Sequence, residues 1–311
     1  MNLILFCSIL LLNLNFDQIF GFQCNFLDEF VNNVGYTCDL KLNNVGTHIG
    51  NKNDFDVRIV KINGNSVDDL FFNQSEVSIC QRFKDLETII IKNGFKWINE
   101  NLIKDCDNLK EFSVNNTELQ NIPINFFLDN HKLAWLSLNN NKFTTLQQNI
   151  FINLTNLKNL SLNKNQIKAL PPKIFKSLNN LEMLWLDYNK LGTLNPNWFE
   201  NLQNLELLNL GANGISELSR NIFKPLVNLQ FLFLHTNKLT TIHWDSFPVN
   251  GRLNTIDLSH NKIFSIDEKF IDFTYVYWID MMGNVCSQEN IRKRNEVKDK
   301  LRKCLDNYHS F

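Results

Sequence analysis

The stretch LKNLSLNKNQIKALPPKIFKSL, running from Leu157 to Leu178, decides the fold, because its frame recurs at a 24-residue spacing. The frame restarts at Leu133, Leu181, Leu205, Leu229 and Leu253. Self-similarity at a fixed period of roughly 20–50 residues marks a solenoid. Within one unit, Leu160 and Leu162 are two residues apart and point the same way from a short strand, while Asn159 and Ser161 point the other way. Asn165, Asn189, Asn213, Asn237 and Asn261 follow the strands, where the chain turns inward and loses its ladder partners. An amide side chain carries donors and an acceptor, so a column of asparagines can satisfy those turns. Phe151, Phe175, Phe199, Phe223, Phe247 and Phe270 recur on the return path and predict a stacked aromatic column on the convex side. One repeat cannot offset the cost of ordering its own backbone. The units must therefore stack, strand beside strand at about 4.8 Å, with the parallel sheet on the concave side of an arc.

This spacing of leucines and asparagine resembles the extracellular leucine-rich repeat of typical length. The resemblance implies an α/β solenoid, a curved arc with a parallel concave sheet and a phenylalanine column behind it. Earlier turns fit the frame less regularly. Val57 to Leu70 matches it, with Val60 and Ile62 as the inward pair and Asn65 in the asparagine slot. Leu86, Ile89 and Ile91 begin a shorter unit with Gly94 in that slot, and Leu109, Phe112 and Val114 begin another with Thr117 there. Val276, Ile279, Met281 and Asn284 form the last copy, which runs directly into Cys286. About nine repeats are expected over residues 57–285.

The flanks predict the compartment. Residues 1–22 read as a secretory signal: Met1 to Leu14 is apolar apart from Asn2, Ser8 and Asn13, too short to span a bilayer, and Gly21 lies just before Cys24. Cys7 leaves with that leader. An even set remains, Cys24, Cys38, Cys80, Cys106, Cys286 and Cys304, which in a secreted chain favours disulfides over metal ligation. Six cysteines allow many pairings, and their positions favour Cys24–Cys38, Cys80–Cys106 and Cys286–Cys304. After Ser287 the period changes. Ile291, Val297, Leu301 and Leu305 fall at helical spacing in a charged run, predicting a helix folded over the open end of the core. This arrangement resembles the C-terminal caps of secreted leucine-rich repeat proteins. With Cys24-Asn-Phe and Tyr36-Thr-Cys38 ahead of the repeats, it looks most like the insect members of that group. The expected organisation is thus an N-terminal cap over 23–56 and a C-terminal cap over 286–311.

Chemistry is sparse. The chain lacks GxSxG, P-loop, GxGxxG and HExxH motifs, so no enzyme class has an anchor and no cofactor is expected. His235 and His260, near Asp257, could hold a metal in principle; the spacing favours two polar residues on a binding face. A net charge of −1 gives no global bias towards nucleic acid or anionic membrane. Locally, Arg292, Lys293, Arg294, Lys298, Lys300, Arg302 and Lys303 are opposed only by Glu296 and Asp299. A heparin-like polyanion would suit that cluster, although the plainer reading is the solvated face of a cap helix. Sequons at Asn73, Asn115, Asn153 and Asn159 are candidate glycosylation sites, with Asn159 on the concave face and Asn115 at its margin. No C-terminal apolar tail follows the repeats, and no membrane anchor is expected.

The outward strand positions read as columns and carry the functional expectation. Met183, Trp185, Tyr188, Leu207, Phe231 and Phe233 gather on three neighbouring strands, rimmed by Asp187, His235 and Asp257. Outward aromatics in one cluster commonly mark an interface. The resemblance implies an extracellular recognition role in immunity, adhesion or matrix. The expectation is a secreted, non-catalytic binder of a protein or peptide, or alternatively a matrix component that pairs with a second copy of itself through the same face.

Overall fold

The computed structural model describes residues 24–27, 36–41, 57–63, 78–272, 276–291 and 296–307. The expected leader and the Asn73 sequon lie outside these residues. In chain order the strands are β1 (Cys24–Leu27), β2 (Tyr36–Lys41), β3 (Val57–Asn63), β4 (Thr88–Lys92), β5 (Glu111–Asn115), β6 (Trp135–Ser137), β7 (Asn159–Ser161), β8 (Met183–Trp185), β9 (Leu207–Asn209), β10 (Phe231–Phe233), β11 (Thr241–Ile242), β12 (Thr255–Asp257), β13 (Ser265–Ile266), β14 (Trp278–Asp280) and β15 (Asn290–Ile291). Two short helices, α1 (Ile79–Arg82) and α2 (Val297–Asp306), lie towards the two ends. From β2 to β14 the strands of the main sheet pair in parallel and in sequence order, with β11 and β13 forming a separate parallel pair on the return path. The protein is therefore a solenoid whose turns each contribute one strand.

The sequence accounts for each part of a turn. Leu160 and Leu162 are fully buried, whereas Asn159 between β6 and β8 is half-exposed, as alternation along a strand requires. The inward turn after each strand is held by its asparagine. Asn189 donates through Nδ2 to the carbonyls of Leu162 and Leu186 at 3.0 Å each, and its Oδ1 accepts from the Ile167 amide at 3.0 Å. One side chain thus ties a strand to the turn before it. Asn165, Asn213, Asn237, Asn261 and Asn284 repeat the pattern. In the two irregular slots, Thr117 donates its hydroxyl to Asn141 Oδ1, and Asn93 and Gly94 turn through positive φ.

The phenylalanine column stands behind the leucines. Ring centroids lie 6.4 Å apart for Phe151 and Phe175, 5.6 Å for Phe199 and Phe223, 6.3 Å for Phe223 and Phe247, and 5.7 Å for Phe247 and Phe270. These are the spacings at which aromatic pairs attract beyond simple burial. The rings therefore set the repeat-to-repeat distance on that side, larger than the strand spacing of about 4.8 Å.

Two disulfides tie early and late turns of the solenoid. Cys80, in α1, is bonded to Cys106 one turn later, with Cα atoms 5.2 Å apart, and Ser78 caps α1 through its hydroxyl. The side chains of Cys24 and Cys38 lie outside the described residues; their backbones run antiparallel in β1 and β2, with Phe26 opposite Cys38. At the other end, Cys286 is bonded to Cys304 of α2, and Leu301 and Cys304 are fully buried. Two expectations for this end need correction. The sheet does not stop at β14, because the chain reverses after Asn284 and lays β15 antiparallel along its edge, Ile279 opposite Ile291. Ile291 accordingly belongs to a strand and not to the helix, which begins only at Val297. The physical reason is the open edge: unpaired N–H and C=O groups on β14 would otherwise face water.

Candidate functional site

Strand register places the outward side chains in straight columns across the sheet. One column runs Trp135, Asn159, Met183, Leu207, Phe231, Thr255 and Trp278. The next runs Ser137, Ser161, Trp185, Asn209, Phe233, Asp257 and Asp280. Met183, Trp185, Leu207, Phe231 and Phe233 are therefore neighbours on β8, β9 and β10, as expected. Phe231 is 36% exposed, and the other four are half-buried.

Sequence reading omitted one member of this patch. The Trp135 and Trp185 ring centroids lie 6.2 Å apart at 37°, although the two residues sit on strands separated by β7. They can meet because β7 presents only Asn159 and Ser161 outward. Trp135 is 41% exposed, so the aromatic surface extends two strands beyond its expected boundary, from β8 to β6. The signal was present as a second tryptophan two strands away across small residues.

The rim is less uniform. Tyr188, 53% exposed, sits in the turn after β8 with φ 55°, and Lys164 holds its Nζ 5.9 Å from the ring centroid. Asp257 Oδ1 accepts from the backbone amide of Ser259 at 3.0 Å and from its hydroxyl at 2.7 Å. Asp187 is not an exposed rim group: it is only 6% exposed. Burial raises its pKa above the ordinary carboxylate range, offset in part by its own backbone amide, by Asn163, and by His235 and Lys164 nearby. On β14, burial likewise raises the pKa of Asp280; the Met282 amide and His260 oppose the rise and Asp257 adds to it. His235 lies across Gly211: a β-carbon there would be 2.4 Å from its Cε1 and Nε2. The glycine, just after β9, leaves the imidazole the space that a side chain there would fill.

Other candidate residues fall elsewhere. Among the described residues, no group of three His, Cys, Asp or Glu side chains is arranged to hold a metal. Arg292, Lys293 and Arg294 lie outside the described residues. Lys300 is paired with Glu296 at 3.0 Å and Glu289 at 3.7 Å, while Arg302 and Lys303 are exposed. Asn115 accepts from the Ser137 hydroxyl at 2.8 Å and from the Asn139 amide at 3.2 Å, and Asn153 donates to the Leu128 carbonyl at 2.9 Å. Asn159 is flanked in its column by Trp135 and Met183, and its Oδ1 is buried without a hydrogen-bond partner. That sequon competes with the tryptophan pair for the same surface. No helix among the described residues is long and apolar enough to cross a membrane.

A solenoid of single-strand turns with an asparagine column and an open sheet face defines a class of repeat scaffold. The leucine rich repeat family model matches residues 107–167, 155–215, 184–239 and 203–263, more than half of the 311 residues, and the chain belongs to that family. No curated protein matches the sequence significantly. Many solved structures share the fold, among them these three. The structure of a TLR13–ssRNA13 complex has a TM-score of 0.68 at 24% identity, covering 75% of this chain and 33% of that one. A chain of the octameric complex of Latrophilin 3, Unc5D and FLRT2 (LRR) has a TM-score of 0.64 at 18% identity, covering 74% and 68%. The APL1 leucine-rich repeat domain gives 0.60 at 17%, covering 79% and 63%. The chain thus spans a third of the length of the TLR13 chain it matches.

Proposed function

We propose that this chain is a secreted, extracellular, non-catalytic recognition protein that binds a protein or peptide partner through the aromatic patch on β6 to β10 of its concave face. The observation that carries the reading is the joining of Trp135, Trp185, Phe231 and Phe233 into one partly exposed surface outside the leucine core. A soluble protein rarely keeps so large an apolar surface in water without a use for it, and tryptophan anchors often dominate binding energy. Two relatives in fold were solved in complexes, one with ssRNA and one with Latrophilin 3 and Unc5D, which fits a face built for ligands. Two cysteine pairs at bonding distance fit an oxidising compartment. The family it matches is a repeat scaffold.

Replacing Trp185 and Phe233 together by alanine tests the reading. The double variant should keep its melting temperature within a few degrees, because both side chains lie outside the core. Its affinity for the partner captured by the unaltered protein should fall at least tenfold, about 1.4 kcal/mol. Sedimentation of the purified chain separates a foreign partner from a second copy: a stable dimer lost in the double variant assigns the face to self-association. Unchanged capture and unchanged sedimentation would show that the patch is not the site.

A further inference from the structure

Asp187 projects onto the concave face from the same strand segment as Trp185, yet the fold leaves it incompletely paired. One carboxylate oxygen is turned towards Asn163, while Oδ1 is buried without a hydrogen-bond partner. A buried, half-satisfied carboxylate is costly, because water has been removed and nothing replaces all of it. Among the described residues no cationic nitrogen lies at ion-pair distance from it: Lys164 is drawn over the Tyr188 ring instead. The cover on one side is His235, whose imidazole lies over Gly211. That ring therefore lies beside the carboxylate, over the backbone that follows β9.

The surface beside it has a matching shape. Trp185 leans towards Trp135, away from β9, and leaves Asn209 as a low floor between Trp185 and Phe233. Two strand spacings, about 9.6 Å, separate those aromatic positions, which is room for one flat group between them. Asp257 stands next to Phe233 on the following strand, with Asp280 beyond it. The charged and titratable groups facing this region are Asp187, Asp257 and Asp280 against Lys164, His235 and His260. With the histidines neutral, the balance is acidic and framed by aromatic faces.

Resting on the concave-face reading above, we propose that the slot over Asn209 receives an arginine side chain of the protein partner, its guanidinium stacked against Phe233 and hydrogen-bonded to Asp187 Oδ1 once His235 swings aside. Arginine is the residue this surface fits: it is planar, weakly hydrated, attracted to aromatic faces, and able to donate to two acceptors at once. Asp257 supplies a second negative charge at the slot's other side.

The test uses a random twelve-residue peptide library selected against the immobilised protein, followed by synthesis of the peptides whose binding is lost in the Trp185→Ala, Phe233→Ala variant. Those peptides should carry an arginine at a fixed position, and its replacement by neutral, isosteric citrulline should weaken binding at least tenfold. Asp187→Asn should weaken the arginine peptide by a similar factor and leave the citrulline peptide unaffected. Patch-dependent peptides that tolerate both citrulline and Asp187→Asn would overturn the arginine slot while leaving the concave-face reading intact. A selection yielding no patch-dependent peptide would overturn both. Should Asp187→Asn fail to fold, the citrulline comparison on the unaltered protein and the more exposed Asp257→Asn decide the matter in the same terms.

Discussion

At the scale of single residues, position within the repeat determines what a side chain does. Asn189 lies in the buried column, and Asn189→Ala would strand the Ile167 amide away from water, at about 1–3 kcal/mol, and remove one of the two amide donors to each of the Leu162 and Leu186 carbonyls. A loss of about 2 kcal/mol in denaturant unfolding is expected, against less than about 1 kcal/mol for Asn180→Ala, whose exposed amide donates only to the Thr155 carbonyl. Equal losses would contradict the account of the column. Asp187 behaves in the opposite sense. Its folded pKa is raised by burial, so its contribution to stability is fully present below the unfolded value and is lost as pH rises through the folded value. Asp187→Asn should therefore gain in melting temperature relative to the unaltered protein as pH goes from about 3 to about 7. A difference that stays flat over that range would show that the carboxylate is not held at a cost. The asparagine column was legible in the sequence because it is periodic. The burial of Asp187 and the need for Gly211 were not, since both depend on how Trp185 and His235 lean across neighbouring strands.

Elements were legible where the period is strict and lost where it breaks. β6 to β10 fall on the strand positions that the leucine frame predicts, and Thr117 and Gly94 occupy the irregular turns. A second ladder escaped notice although it is equally periodic: Asn156, Asn180, Asn204 and Asn228 each donate to a carbonyl 25 residues earlier, tying the exposed return loops together. Ile291 was misassigned because a buried apolar residue before a helix satisfies helical spacing and a closing strand equally well. Only the unpaired edge of β14 distinguishes them, and that is a property of the sheet. The C-terminal segment from β14 to α2 is held by one covalent bond. The Cys286–Cys304 bond closes a loop of 18 residues, for which chain entropy predicts about 3 kcal/mol. Cys286→Ser with Cys304→Ser should lower unfolding stability by about that amount and speed amide exchange in β14, β15 and α2 before the central repeats. Uniform loss of protection along the whole chain would show that the cap does not act locally.

Across the whole molecule, one column of the concave face grades from Ser113, Ser137 and Ser161 on β5 to β7, through Trp185, Asn209 and Phe233 on β8 to β10, to Asp257 and Asp280 on β12 and β14. The gradient was readable from the columns, except that the tryptophan pair carries the aromatic region two strands further than its composition suggests. Because that pair closes over Asn159, occupancy of this sequon and binding at the patch should exclude one another. Glycopeptide mapping of partner-bound protein should find Asn159 unmodified, and full occupancy in the bound fraction would contradict the mapped boundary. The most direct measurement places a photo-crosslinking p-benzoylphenylalanine at position 233, with position 152 as control, where Ile152 is exposed on the return path. The account predicts that the partner, whether another protein or a second copy of the chain, crosslinks from 233 and not from 152. Crosslinking from 152 alone would put the interface on the convex side and contradict it.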